Sequence, residues 1–208
     1  RNVMVLYTDS RNRLWIGTND SGILCYNPVN SKISTFSVEN GLSSNAIRSV
    51  SEDNEGNIYV GTGSFLSVIT QEERVVTYSS LTDITYVRKL ANFQNGIIAG
   101  VTNSGAVFFM DGDKIIAAVN LPENSGVYFT SCCAAGNRSY ILGDSAGSLY
   151  QCDLSMSGGQ WAAEVEIACK DTKIGGISNI VGGKNQKYLI CADNGLGILD
   201  AGGFTALN

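Results

Sequence analysis

At 208 residues the chain can hold one large all-β domain or two small ones, and its 44% hydrophobic content argues against disorder. The formal charge is −5, from 14 basic and 19 acidic residues without a basic stripe, so nucleic acid is not an expected partner. The absence of histidine removes Ser-His and Cys-His nucleophile pairs, most catalytic zinc sites and the phosphoacceptor of a histidine kinase from this chain.

Glycine is abundant (24) and proline scarce (2), which suits many short strands joined by tight turns. Apolar runs such as residues 97–101 fall far short of the roughly 20 residues that span a membrane. The start at Arg1, almost inside a strand, reads as a piece excised from a longer protein. None of the six cysteines (Cys25, Cys132, Cys133, Cys152, Cys169, Cys191) forms C-x-x-C. Most stand in apolar runs and read as small buried hydrophobes; disulfides stay open, although Cys132 and Cys133 cannot readily pair with each other.

In chain order, the first unit covers about residues 3–37. Val3 to Tyr7 predicts a strand, Asp9 to Asn12 a turn with Asn12 left-handed, Leu14 to Thr18 a strand, Asn19 to Gly22 a loop, then strands at Ile23 to Tyr26 and Ile33 to Phe36. The second unit, about 46–79, repeats this: Asp9 maps to Asp53, Trp15 to Tyr59 and Gly17-Thr18 to Gly61-Thr62, each 44 residues on. Gly56 falls where Asn12 stood, as a place needing φ > 0 would require. Weaker copies cover about 84–118, with a turn at residues 92–95, then 127–168 and 177–208. The strand glycine recurs at Gly100 and Gly143, and Cys191 takes its place in the last copy; the spacings are 44, 39, 43 and 48.

Four strands at a period near 40–45 are the mark of β-propeller blades. The expected fold is therefore all-β, a β-propeller of about five four-stranded antiparallel blades. With no linker or low-complexity stretch, residues 1–208 read as one domain.

Two copies carry more than a period. Asp9-Ser10-Arg11-Asn12-Arg13-Leu14-Trp15-Ile16-Gly17-Thr18 is one; Asn40-Gly41-Leu42 followed by Asp53 to Thr62 is the other. They resemble the two-component regulator propeller repeat, close to N-G-L-x-x-N then D-x-x-G-x-[IL]-W-[IV]-G-T. The likeness is strong over about residues 1–70. It implies a part of a larger, seven-bladed propeller in the extracytoplasmic (periplasmic or cell-surface) sensor region of a bacterial membrane-bound histidine kinase or hybrid regulator. It also implies a small-molecule or oligosaccharide ligand, contact with the remaining blades and downstream domains, and a homodimeric receptor. Departures are plain: five units are fewer than seven, and Trp15 becomes Tyr59, Ile98, Ile141 and Leu189 in later copies.

The motif letters have physical reasons. Asp accepts backbone N–H bonds in the turn, the aromatic fills the wedge between blades, and the strand glycine lets the next sheet approach. These residues identify a scaffold rather than a site.

In a propeller, the loop before each unit's first strand and the loop between its second and third strands open at one end. That end collects short amides, hydroxyls and carboxylates suited to sugar hydroxyls, and the candidate ligand-binding residues are Asn19, Asp20, Asn45, Asn103, Asp144 and Asp193. Asp111-Gly112-Asp113 lacks the remaining calcium ligands of an EF-hand loop and reads as a hairpin turn. No phosphate-loop motif is present, and no catalytic residue, metal or cofactor is expected.

The leading expectation is a non-catalytic sensor domain. A propeller interaction scaffold and the sensor of a diguanylate cyclase are alternatives. A propeller lyase or glycosidase ranks behind them, since no motif supports it.

Overall fold

The structure, a computed structural model, describes residues 2–79, 84–92, 96–122 and 125–207. Most of the turn expected at residues 92–95 lies outside them. The described chain forms five four-stranded antiparallel sheets, each a meander in sequence order. The first holds β1 (Val3–Thr8), β2 (Leu14–Thr18), β3 (Ile23–Asn27) and β4 (Lys32–Phe36), and the second β5 (Ile47–Glu52), β6 (Ile58–Thr62), β7 (Leu66–Ile69) and β8 (Val75–Thr77). The third holds β9 (Val87–Asn92), β10 (Ile98–Thr102), β11 (Val107–Asp111) and β12 (Lys114–Val119). The fourth holds β13 (Phe129–Gly136), β14 (Ser139–Asp144), β15 (Leu149–Ser157) and β16 (Gln160–Cys169), and the fifth β17 (Ile177–Gly182), β18 (Tyr188–Ala192), β19 (Gly195–Asp200) and β20 (Gly203–Leu207). Each sheet has the form of a propeller blade. The chain divides into two compact units, Arg1–Leu90 and Ala91–Asn208, the division falling inside β9.

In the first unit the alternation of side chains along β1 to β3 sets Trp15, Ile23 and Cys25 on one face. They pack against Ile47, Val50, Ile58, Val60 and Ile69. Asp9 makes the turn that the sequence predicts: its Oδ1 accepts from the backbone N–H groups of Arg11 (3.0 Å) and Arg13 (2.8 Å). Its Oδ2 accepts from Arg13 Nε (2.6 Å) and from the Trp15 indole (2.8 Å), which ties the turn to the wedge aromatic. Asp53 repeats the pattern through Glu55 N, Asn57 N and Asn57 Nδ2, each at 2.9 Å. Asn12 and Gly56 both have positive φ, 58° and 80°. The two sheets are also linked by Glu52, whose carboxylate accepts from Ser10 N and Ser10 Oγ at 2.7 Å each.

In the second unit Val101, Val107 and Phe109 pack against Phe129, Tyr140, Leu142 and Cys152. Ile141, Leu149, Ile177, Tyr188 and Ile190 form the core between the fourth and fifth sheets. The strand glycine does what was expected at Gly143, where an added Cβ would lie 2.5 Å from Ile177 Cγ2 on the following sheet. In the last sheet its counterpart Cys191 shares the outward face with Leu196 and Leu207, where no following sheet of the described chain sets a limit.

All six cysteines are free thiols. Burial pushes Cys152 up to about 12 and raises Cys25, Cys133 and Cys169, so these four are inert hydrophobes rather than nucleophiles.

Candidate ligand-binding face

The expected site was the loop before each unit's first strand together with the loop between its second and third strands. In the first unit the loop before β5 is built by the N-G-L segment. Ser37 and Asn40 form a reciprocal capping box on a single 3-10 turn, Val38–Asn40, closed by Gly41. Leu42 is then buried beneath it. Asn45, one of the predicted ligand residues, is a staple of this loop: its Oδ1 accepts from Val38 N (2.9 Å) and its carbonyl from Gly22 N (3.0 Å). Ser43 is likewise spent internally, on Thr62 Oγ1 (2.8 Å) and Phe65 O (2.7 Å). Asn19 and Asp20 are exposed on the β2–β3 turn, where Thr18 Oγ1 holds Gly22 O and Ser21 N. Asp20 accepts from Ser21 Oγ (2.7 Å), and Asn19 Oδ1 accepts from Arg48 Nη1 (2.8 Å).

The second unit brings Asn103 and Asp193 to exposed turns, after β10 and after β18. Asp144 departs from the expectation. It is 1% exposed, and its Oδ1 accepts from Ala146 N (2.9 Å) and Ser148 N (2.8 Å) while Oδ2 accepts from Tyr150 OH (2.8 Å). Asp9 makes the same bonds to residues two, four and six places on. The letters Asp144-Ser145-Ala146-Gly147-Ser148-Leu149-Tyr150 are thus another D-x-x-G-x-L-aromatic turn, placed between β14 and β15 rather than between the first two strands of the sheet. Burial, and then the Asp144 carboxylate, push Tyr150 up to about 12. A side chain so committed is a turn anchor.

Two features escaped the sequence reading. One is Arg48, which meets Asn19; the signal that could have revealed it is the pair Ile47-Arg48 and Val87-Arg88, cations at the second place of two first strands. The other is a cleft of about 420 Å³ between the fourth and fifth sheets, lined in part by Gly136, Ile141, Gln151, Tyr188, Asp200 and Gly203. It opens beside Ile141, which stands where Trp15 fills the wedge of the first sheet. Two of its polar groups are engaged, Gln151 Nε2 with Asp153 (2.9 Å) and Tyr188 OH with Ala135 O (3.0 Å).

Among the described residues no group of three or more acidic, cysteine or histidine side chains is placed to hold a metal ion, and no helix is long and apolar enough to cross a membrane.

The profile described as "Two component regulator propeller" matches residues 1–20 and 41–64. No curated protein sequence matches the chain. Among solved structures, virginiamycin B lyase from Staphylococcus aureus is similar over all of this chain and 70% of its own, with a TM-score of 0.80 and 15% identity. The extracellular domain of the putative hybrid two component system BT3049 from B. thetaiotaomicron is similar over 96% of this chain, with a TM-score of 0.71 and 16% identity. That of the putative one component system BT4673 from the same organism is similar over 95%, with a TM-score of 0.69 and 20% identity. The chain spans 28% and 27% of those two domains. At these identities the likeness establishes the β-propeller fold alone.

Proposed function

We propose, from the premise that residues 1–20 and 41–64 are two component regulator propeller repeats, that this chain is part of the extracytoplasmic, non-catalytic sensor of a bacterial two-component receptor. The observation that carries the reading is the coincidence of those repeats with likeness to the extracellular domain of a hybrid two component system. Each unit has its own candidate loops, with Asn19 and Asp20 in the first and Asn103 and Asp193 in the second, and the ligand would meet one of them. Binding there would bias the parent receptor between two signalling states, in the manner of any ligand with unequal affinity for them.

Further blades of the parent chain would cover the terminal sheets. The outward face of the first sheet leaves Leu6 63% and Ile33 61% exposed, and that of the fifth leaves Val181 48% and Leu207 45% exposed. Apolar faces of this kind mark contact surfaces.

A second reading, a propeller lyase, is favoured by the likeness to virginiamycin B lyase. That enzyme is catalytically inactive when one histidine is replaced by alanine, and this chain has no histidine. Thermal melts with a panel of neutral and acidic saccharides test the first reading. A ligand bound only by the folded state must raise the melting temperature, by RT ln(1 + [L]/Kd) in stability. Turnover of a streptogramin by the chain would favour the second reading and overturn the first.

A further inference from the structure

The end of the first unit that carries Asn19 also carries a cation that no carboxylate pairs with among the described residues. Arg48 is the second residue of β5, where the β5–β6 register slips between Ile47 and Ser49, so its side chain leaves the ladder. A bulge at such a place re-aims a side chain.

Arg48 is half-buried. Nη1 donates to Asn19 Oδ1 at 2.8 Å, Nε donates to the Tyr86 hydroxyl at 3.2 Å, and the guanidinium lies 5.5 Å from the centre of the Tyr86 ring. Tyr86 itself has φ 51°, a left-handed conformation that bulky residues rarely adopt, and its N–H donates to Ser64 O. All these contacts are with neutral groups, and among the described residues no carboxylate pairs with Arg48. Nη2, with two of the five guanidinium donors, has no partner among them. Arg88 stands at the same second place of β9.

In a chain of net charge −5, a guanidinium held in one orientation by an amide and a phenol, with no counter-charge among the described residues, is prepared for an anion from outside. Its planar fork matches the two oxygens of a carboxylate in bidentate geometry.

We propose that Arg48 anchors the carboxylate of a small polyhydroxylated acid, with the exposed Asn19 amide meeting an adjacent hydroxyl. This deepens the ligand-binding reading above and rests on it. The site is a binding site only; no bond is made or broken.

The test is calorimetric titration of the 208-residue chain with D-glucuronate, D-gluconate and D-glucose. The acids are expected to bind saturably, more weakly at high salt, and glucose not to register. Arg48→Met is expected to weaken acid binding about 10- to 100-fold, the loss of a charged hydrogen bond. Arg48→Lys, which keeps charge but not the fork, is expected to fall between.

Asn19→Asp supplies the missing carboxylate from within. Because Asn19 is exposed, this variant is expected to fold normally and to abolish acid binding. Equal binding of acid and glucose that survives Asn19→Asp and Arg48→Met would overturn the anchor and leave the loop end as a neutral-sugar site. No heat from either acid, with a neutral saccharide still raising the melting temperature, would overturn the anchor alone. No response to any saccharide would overturn both readings.

Discussion

Replacing Asp9 with asparagine removes the charge and nearly keeps the shape. Burial alone would push the Asp9 carboxyl up. The Trp15 indole, the Arg13 backbone N–H and the Arg13 guanidinium outweigh that and hold it below the usual carboxylate range. Its share of stability is therefore complete above the unfolded value near pH 4 and is lost as pH falls through the folded one. Asp9→Asn is expected to destabilise by about 2–3 kcal/mol at pH 7 and to flatten the acid limb of stability against pH. Urea melts between pH 2 and 7 read both effects.

Ile141 is the complementary case. The cleft beside it offers room where a Trp15-like ring would lie, so Ile141→Phe is expected to be neutral or to stabilise by up to about 1 kcal/mol, against the usual 1–3 kcal/mol penalty for enlarging a core residue. Ile141 holds the place of Trp15 in the repeat frame of its unit, with Ala135 where Asp9 stands. The sequence showed that frame but not the volume left when the ring is lost, since volume depends on the facing sheet.

At the scale of elements, the loop of residues 37–46 separates staple from site. Asn45 is motif and loop joint at once, because its Oδ1 closes the Ser37–Asn40 turn onto β5. Asn45→Ala is expected to lose about 1 kcal/mol of stability, as other cap and loop bonds do. Asn19→Ala, on an exposed turn, is expected to leave stability within about 0.5 kcal/mol. Denaturant midpoints of the two variants decide between these roles.

Sheet spacing is the other elemental quantity. Gly143→Ala would bring a Cβ to 2.5 Å from Ile177 Cγ2 and 2.7 Å from Ile177 Cβ. It is expected to destabilise by about 1–3 kcal/mol, with partial relief in a double variant carrying Ile177→Ala. The commitment of Asp144 escaped the sequence reading for a related reason. Its turn was expected between the second and third strands of its sheet, but the bonds to Ala146 N, Ser148 N and Tyr150 OH bury the carboxylate that the sequence offered to a ligand.

For the whole molecule, the first and fifth sheets present outward apolar faces, through Leu6, Ile16 and Leu24 on one and Val181, Leu189 and Ile198 on the other. The isolated chain is therefore expected to self-associate with increasing concentration and to bind a hydrophobic dye. Adding the flanking sequence of the parent protein, or substituting Leu6→Lys together with Leu189→Lys, is expected to suppress both. Sedimentation velocity over a tenfold concentration range checks this. A chain that stays monomeric without its flanks would remove the argument that further blades cover these faces.

Periodicity, turn letters and wedge aromatics were sufficient to determine five four-stranded blades, because each repeat must bury one face of a short meander and the hydrogen-bonding letters act within a few residues of one another. Which of the candidate polar residues stay exposed was decided only by the tertiary structure. Asn45 and Asp144 carry the same chemistry as Asn19 and Asp193, yet the first two are consumed by backbone donors that the fold brings to them. Arg48 gained its place beside Asn19 and Tyr86 from residues 29 and 38 positions away. Contacts between sheets assign those partners, and a local pattern of letters does not encode them.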